Sequence, residues 1–299
     1  MRIVLLLLAA VAFRFPEHDL ITEGIAHDAK SGRFFVSSIR KHKVIEIAPD
    51  GKMRDFGPRL DYAPLGMAVD PARGLLWVTS SAFDRMEGYD ESMKGRAALV
   101  ALSLKDGRVA KKIETQGFLD SVGLAHDGTV LVSDSRGIVY TVSGDALQPL
   151  VTNRRIRSPQ AITRSADRTS VYIADYSTGV YRVNVRTGDL LKLAAPADVA
   201  MSGIDGLTFT GRSLIAIQNA KEPHRVVRFD LRADGNAITA ATVLDSGAHL
   251  DEPTNGTMAG DAYYFVAASQ GHRFDGGKTP AAAELSEPVI RRIARPDTR

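Results

Sequence analysis

Residues 21–47 set a pattern that the rest of the chain repeats: ITEGIAHDAKSGRFFVSSIRKHKVIEI. The apolar run FFVSS and the alternation of apolar and polar positions in KVIEI are strand signals. Lys30-Ser31-Gly32 marks a turn between the first two runs. The template returns as LGMAVDPARGLLWVTSS, VGLAHDGTVLVSDSRGIVYTV, QAITRSADRTSVYIADYSTGVYRV and DGLTFTGRSLIAIQNAKEPHRVVRF. A looser sixth copy is TNGTMAGDAYYFVAASQ followed by EPVIRRI. No copy holds a long apolar stripe of period 3.6, so helical repeats are excluded.

The copies place Glu23, Leu65, Val122, Gln160, Asp205 and Thr254 at matching positions. Their spacing, roughly 40 to 55 residues with several strands per repeat, is that of propeller blades. The pattern predicts an all-β fold: a six-bladed β-propeller of four-stranded antiparallel blades around a central channel, one domain over residues 13–299. The segment near Phe13-Arg14-Phe15 is expected to add a strand to the last blade, which would remove an exposed sheet edge. Trp77, Tyr172, Phe35 and Tyr264 lie in second strands and are expected to pack between blades.

Residues 1–12 read differently. Arg2 precedes the apolar stretch 3–9, and Ala10-Val11-Ala12 has the form of a cleavage site, as in a secretory signal peptide. The stretch is too short to span a bilayer. It predicts a periplasmic or secreted protein, and a cytoplasmic one if the start is an ordinary strand. The absence of cysteine excludes a thiolate nucleophile and suits an oxidising compartment. A formal net charge of +3 is spread over scattered residues, and the one dense patch, at Arg154, Arg155 and Arg157, reads as a solvated inter-blade loop. No basic stripe with interleaved aromatics points to nucleic acid. Two longer insertions, 80–96 in blade two and 271–286 in blade six, would wall a pocket if they rose on one face.

Candidate chemistry sits where the inner strands begin, because in a propeller those positions gather at one mouth of the channel. Glu23, Gln160 and Asp205 are each followed by a small residue, Gly24, Ala161 and Gly206. Two carboxylates and an amide oxygen converging on an axis make a hard oxygen site that suits Ca²⁺, or Mg²⁺ or Mn²⁺. Without a cation the carboxylates would repel and one would take up a proton. Asp134 and Asp175 close second strands and are expected to bond turn amides.

The stretches ITEGIAHDAKSGRFFVSS, SPQAITRSADRTSVYIAD and GIDGLTFTGRSLIAIQN resemble the senescence-marker-protein, gluconolactonase and luciferin-regenerating-enzyme family of six-bladed propellers. The resemblance implies one divalent cation held by an acid in blade one, an asparagine in blade four and an aspartate in blade five. Glu23 and Asp205 match the two acids, and Gln160 stands where the asparagine is expected. Glutamine carries one more methylene and reaches about 1.5 Å further. In blade three the family presents an asparagine before the inner strand; here Ser121 is the aligned residue and Asp120 lies one position off. Ser121, Asp120 and Asn219 are the candidate substrate contacts.

Such a site implies metal-assisted hydrolysis of a lactone or related ester, with Asp205 as general base and a small-molecule substrate. No G-x-S-x-G elbow supplies a serine nucleophile, and the histidines show no ligand spacing. The alternative is a non-catalytic extracytoplasmic propeller that binds a small ligand or a protein partner; Gln160 and Ser121 favour that reading, and Glu23 with Asp205 favours hydrolysis. Substrate, cation and oligomeric state stay open at this level.

Overall fold

The computed structural model describes residues 9–152, 154–220, 222–294 and 296, so residues 1–8 of the expected leader lie outside it. The described chain forms six antiparallel sheets of four strands each. Blades one to five take their strands in sequence order, from the inner strands Thr22–Asp28, Ala63–Asp70, Leu119–Leu124, Pro159–Arg164 and Ile204–Phe209 outward. Blade six runs from its inner strand Gly256–Ala259 through Ala262–Ala268 and Val289–Ala294, and Ala10–Arg14 completes it. The described helical segments, Glu91–Met93, Gly271–Gly277 and Ala282–Glu284, all fall in the two insertions.

The strand alternation read from the sequence puts apolar side chains on both faces of each blade, and each face meets a neighbour. Every seam therefore has its own buried cluster. Phe35 and Val44 of blade one meet Leu76 and Val100 of blade two. Trp77 and Leu99 meet Val122 and Val132 of blade three. Tyr172 and Val180 of blade four meet Leu207 and Phe229 of blade five. Tyr264 packs on Phe34 across the seam between blades six and one, 4.7 Å between ring centroids. All four aromatic residues expected between blades are found there.

Closure follows the expected route and starts earlier than Phe13. Ala10 and Val11 pair with Arg292 and Arg291, and after a bulge Phe13 and Arg14 pair with Ile290 and Val289. All three residues of the expected cleavage site, Ala10, Val11 and Ala12, are thus strand residues. Phe15 ends the run buried, with its N–H donating to Pro288 O at 3.1 Å. It joins Phe34, Val266 and Ile290 in the closing seam. Phe15→Ala should lower unfolding stability by about 3–5 kcal/mol, the usual cost of emptying a buried phenylalanine site. Urea unfolding checks this, and an unchanged midpoint would show that the ring does not depend on this seam.

Candidate functional site

At one end of the channel each of the first five inner strands starts with a break in register. Thr22 faces Ser38 and Ile25 faces Val36, so Glu23-Gly24 form a bulge. The same break falls at Leu65-Gly66, Asp120-Ser121 and Gln160-Ala161. In blade five it falls at Asp205, between Ile204 and Gly206. A bulge turns a side chain out of the regular alternation and re-aims it. In blade six Asn255 stands just before the inner strand, its carbonyl accepting from Val266 N at 2.9 Å.

The equivalent positions in these five blades are therefore Glu23, Leu65, Asp120, Gln160 and Asp205. This corrects the expected alignment in one blade: in blade three Asp120 takes the ring position, not Val122 or Ser121. In blade six a Cβ on Gly206 would lie 2.4 Å from Thr254 O, as one on Gly24 would lie 2.2 Å from Leu65 O, so Thr254 keeps its expected place and Asn255 beside it reaches the mouth. Ser121 is buried in the seam, and a Cβ built on Gly66 would come within 3.1 Å of its Oγ.

Hydroxyls from neighbouring blades fix these residues by their backbones. Thr254 Oγ1 donates to Glu23 O, Ser37 Oγ to Leu65 O, Thr79 Oγ1 to Asp120 O and Ser133 Oγ to Gln160 O, each at 2.7 Å. Ser37 Oγ also accepts from Gly24 N at 2.7 Å. The strands approach so closely here that a Cβ on Gly24 would lie 2.2 Å from Leu65 O, which explains the small residue after Glu23. Asp134 and Asp175 behave as expected. Asp175 Oδ2 accepts from the backbone N–H groups of Arg157 and Ser158, just ahead of Gln160.

The side chains at the mouth pair amide with acid. Asn255 Nδ2 donates to Glu23 Oε1 at 3.2 Å. Asn219 Nδ2 donates to Asp205 Oδ2 at 2.6 Å and to Pro253 O at 2.9 Å, while its Oδ1 accepts from Tyr176 OH at 3.0 Å. Asn219 is thus bound to Asp205 rather than free in the channel. Ser135 Oγ donates to Asp120 Oδ2 at 3.0 Å. With its amide turned to suit its neighbours, Gln160 donates from Nε2 to both Asp120 oxygens, at 2.9 and 2.7 Å, and accepts from Ser158 Oγ at 3.2 Å. Tyr176, Asn255, Glu252 and Arg85 were not singled out from the sequence.

These acids are held away from their usual charge state. Burial, then the charges of Asp205, Asp120 and Glu252, push the Glu23 carboxyl well above the ordinary range. Burial and the Asp205 charge raise Asp120 to about 7. Burial raises Asp205 to about 6, against the Asn219 bond and the Arg85 charge, which hold it down.

The other side of the mouth is apolar. Leu65 and Ile21 lie under Met86 and Phe274, which come from the 80–96 and 271–286 insertions. The two insertions do rise on the same face. Arg85 Nε donates to Asp275 Oδ1 at 2.7 Å, joining them. A separate groove of about 930 Å³ between blades four and five is lined by Tyr172, Arg182 and Arg232 and lies at the far ends of those blades. Two of its arginines are paired, Arg182 with Asp167 and Arg232 with Asp234.

The donor set of carboxylate and amide oxygens fits a hard divalent cation, and the raised carboxyls are what an uncompensated acidic cluster produces. Among the described residues no three His, Asp or Glu side chains stand close enough to form a ready cage. Amide oxygens at Gln160, Asn219 or Asn255 would have to complete the coordination.

No protein-family model matches the chain, and no curated protein matches it. Solved structures do match. A PQQ-bound aldose sugar dehydrogenase from Streptomyces coelicolor aligns with TM-score 0.64 and 12% identity over 95% of this chain and 96% of its own. A gluconolactonase from Xanthomonas campestris aligns with TM-score 0.62 and 13% identity over 92% and 86%. A calcium-binding regucalcin from Agrobacterium tumefaciens aligns with TM-score 0.62 and 16% identity over 95% and 93%. The shared feature is the propeller fold, on which unlike chemistries are built.

The raised carboxyls set a pH dependence. Each holds its proton more tightly folded than unfolded, so stability is largest below the unfolded value near 4 and falls as pH rises through about 6 to 7. Asp120→Asn removes one such group, and Gln160 can turn its amide to accept from the new side chain. In chelator-treated protein the variant should be more stable than wild type at pH 8 and nearly equal at pH 4. Urea midpoints at both pH values check this; a variant less stable at pH 8 would show that the Asp120 charge is compensated.

Proposed function

We propose that the chain is a hydrolase of lactones or related esters that depends on one divalent cation at the channel mouth, Ca²⁺ before Mg²⁺ or Mn²⁺. The observation that carries this reading is the gathering of Glu23, Asp120 and Asp205 from blades one, three and five, with raised carboxyls and amide partners. The likeness to a gluconolactonase and a calcium-binding regucalcin supports it. Glu23 and Asp205 would hold the ion, with Gln160 turning its amide oxygen inward.

When bound, such a cation polarises the substrate carbonyl and eases ionisation of water. Asp205, aimed by Asn219 and Tyr176, takes the proton from the attacking water. Asp120, titrating near neutrality, returns a proton to the departing ring oxygen. Leu65, packed with Met86 and Phe274 of the insertions, gives the substrate an apolar wall on one side. Tyr176, Asn219 and Asn255 are positioning residues, each acting through a carboxylate.

Calorimetric titration of Ca²⁺, Mg²⁺ and Mn²⁺ into metal-free protein, with a lactone hydrolysis assay, tests the reading. Wild type should bind one ion per chain, and Asp205→Asn should lose roughly 10²–10⁴-fold in kcat while remaining folded. Gln160→Asn should bind the ion equally or more tightly. A wild type that binds none of the three and hydrolyses no lactone would leave the non-catalytic binding propeller in place.

A further inference from the structure

Arg85 joins two insertions that leave the ring from different blades. Its Nη1 donates to Glu252 Oε1 at 2.9 Å, and its Nε donates to Asp275 Oδ1 at 2.7 Å. Beside it Gly276 N donates to Asp84 Oδ2 at 3.0 Å, and the Arg40 guanidinium lies 4.8 Å from the centre of the Phe274 ring. Glu252 sits in the left-handed region at φ 55°, a costly conformation for a glutamate, and its Oε2 accepts from His272 N at 2.6 Å. The guanidinium is lodged against Gly271: a Cβ there would lie 2.5 Å from Arg85 Nη1 and 3.2 Å from Ile21 Cγ2. Ile21 is two residues before Glu23, and Glu252 is three before Asn255, which donates to Glu23. A fixed positive charge thus stands at the rim of the acidic mouth, and its field acts on both Glu23 and Asp205.

We infer that Arg85 is a built-in cation that competes with a divalent ion for the mouth, so that clasping of the two insertions and filling of the mouth oppose each other. The inference rests on the cation reading given above. With the mouth empty, Arg85 offsets part of the acidic charge and holds the insertions together. An ion among Glu23 and Asp205 repels the guanidinium, and the clasp to Asp275 and Glu252 loosens. The coupling is reciprocal: whatever weakens the clasp tightens the ion. Ion entry would then open the same face through which a substrate must pass.

The test compares Ca²⁺ binding by calorimetry in the full chain and in R85Q and R85K. R85Q keeps a polar side chain without the charge, and loss of one like charge near a divalent ion should tighten binding about tenfold. R85K keeps the charge and should stay within about threefold of wild type. Hydrogen exchange of residues 80–96 and 271–286 gives a second readout. In wild type Ca²⁺ should speed exchange there; in R85Q exchange should be fast already and change little. R85Q binding no tighter than wild type, or Ca²⁺ slowing exchange in these segments, overturns the inference and leaves the cation reading intact. Binding by R85Q but not by wild type supports the inference and overturns the reading for the natural chain. Binding by neither overturns both.

Discussion

A bulge at the start of an inner strand turns one side chain out of the blade seam, and closure of the ring brings those side chains to a common axis. The mouth depends on both conditions together. The bulges fix direction, and the hydroxyls of Ser37, Thr79, Ser133 and Thr254 fix position by holding the bulge carbonyls from the neighbouring blade. The site is therefore assembled by the same contacts that register one blade against the next. Loosening a seam would move an acid as well as a core residue.

The mouth then carries an electrostatic cost. Glu23, Asp120 and Asp205 face one mouth, and the Asp205 charge raises the cost of ionising both Glu23 and Asp120. The chain answers in three ways: an amide on each acid, Arg85 at the rim, and protonation near neutral pH. On the proposed reading, the arrangement is a site held ready for a positive ligand.

The architecture was legible because its signals are local and repeated. Strand alternation, turn residues and six copies predict the blades, their seams and the closing strand without any long-range knowledge. Glu23, Gln160 and Asp205 were legible because each is followed by a small residue at the same offset from its apolar run. Asp120 was misplaced for a physical reason: a bulge adds a residue to one strand only, so alignment on the apolar core shifts the ring position by two. Asn219 was visible as a strand-end residue, but its bond to Asp205 was not. Tyr176, Glu252 and Arg85 lie in segments without periodicity, and only the folded ring brings Arg85 to Glu252 across 167 residues.

Anomalous X-ray scattering at the manganese edge, from crystals soaked in Mn²⁺, tests the central claim most directly. The account predicts one strong peak at the channel mouth, bounded by carboxylate oxygens of Glu23 and Asp205 and by at least one amide oxygen. No peak at the mouth, or peaks only on the outer surface of the blades, would contradict it.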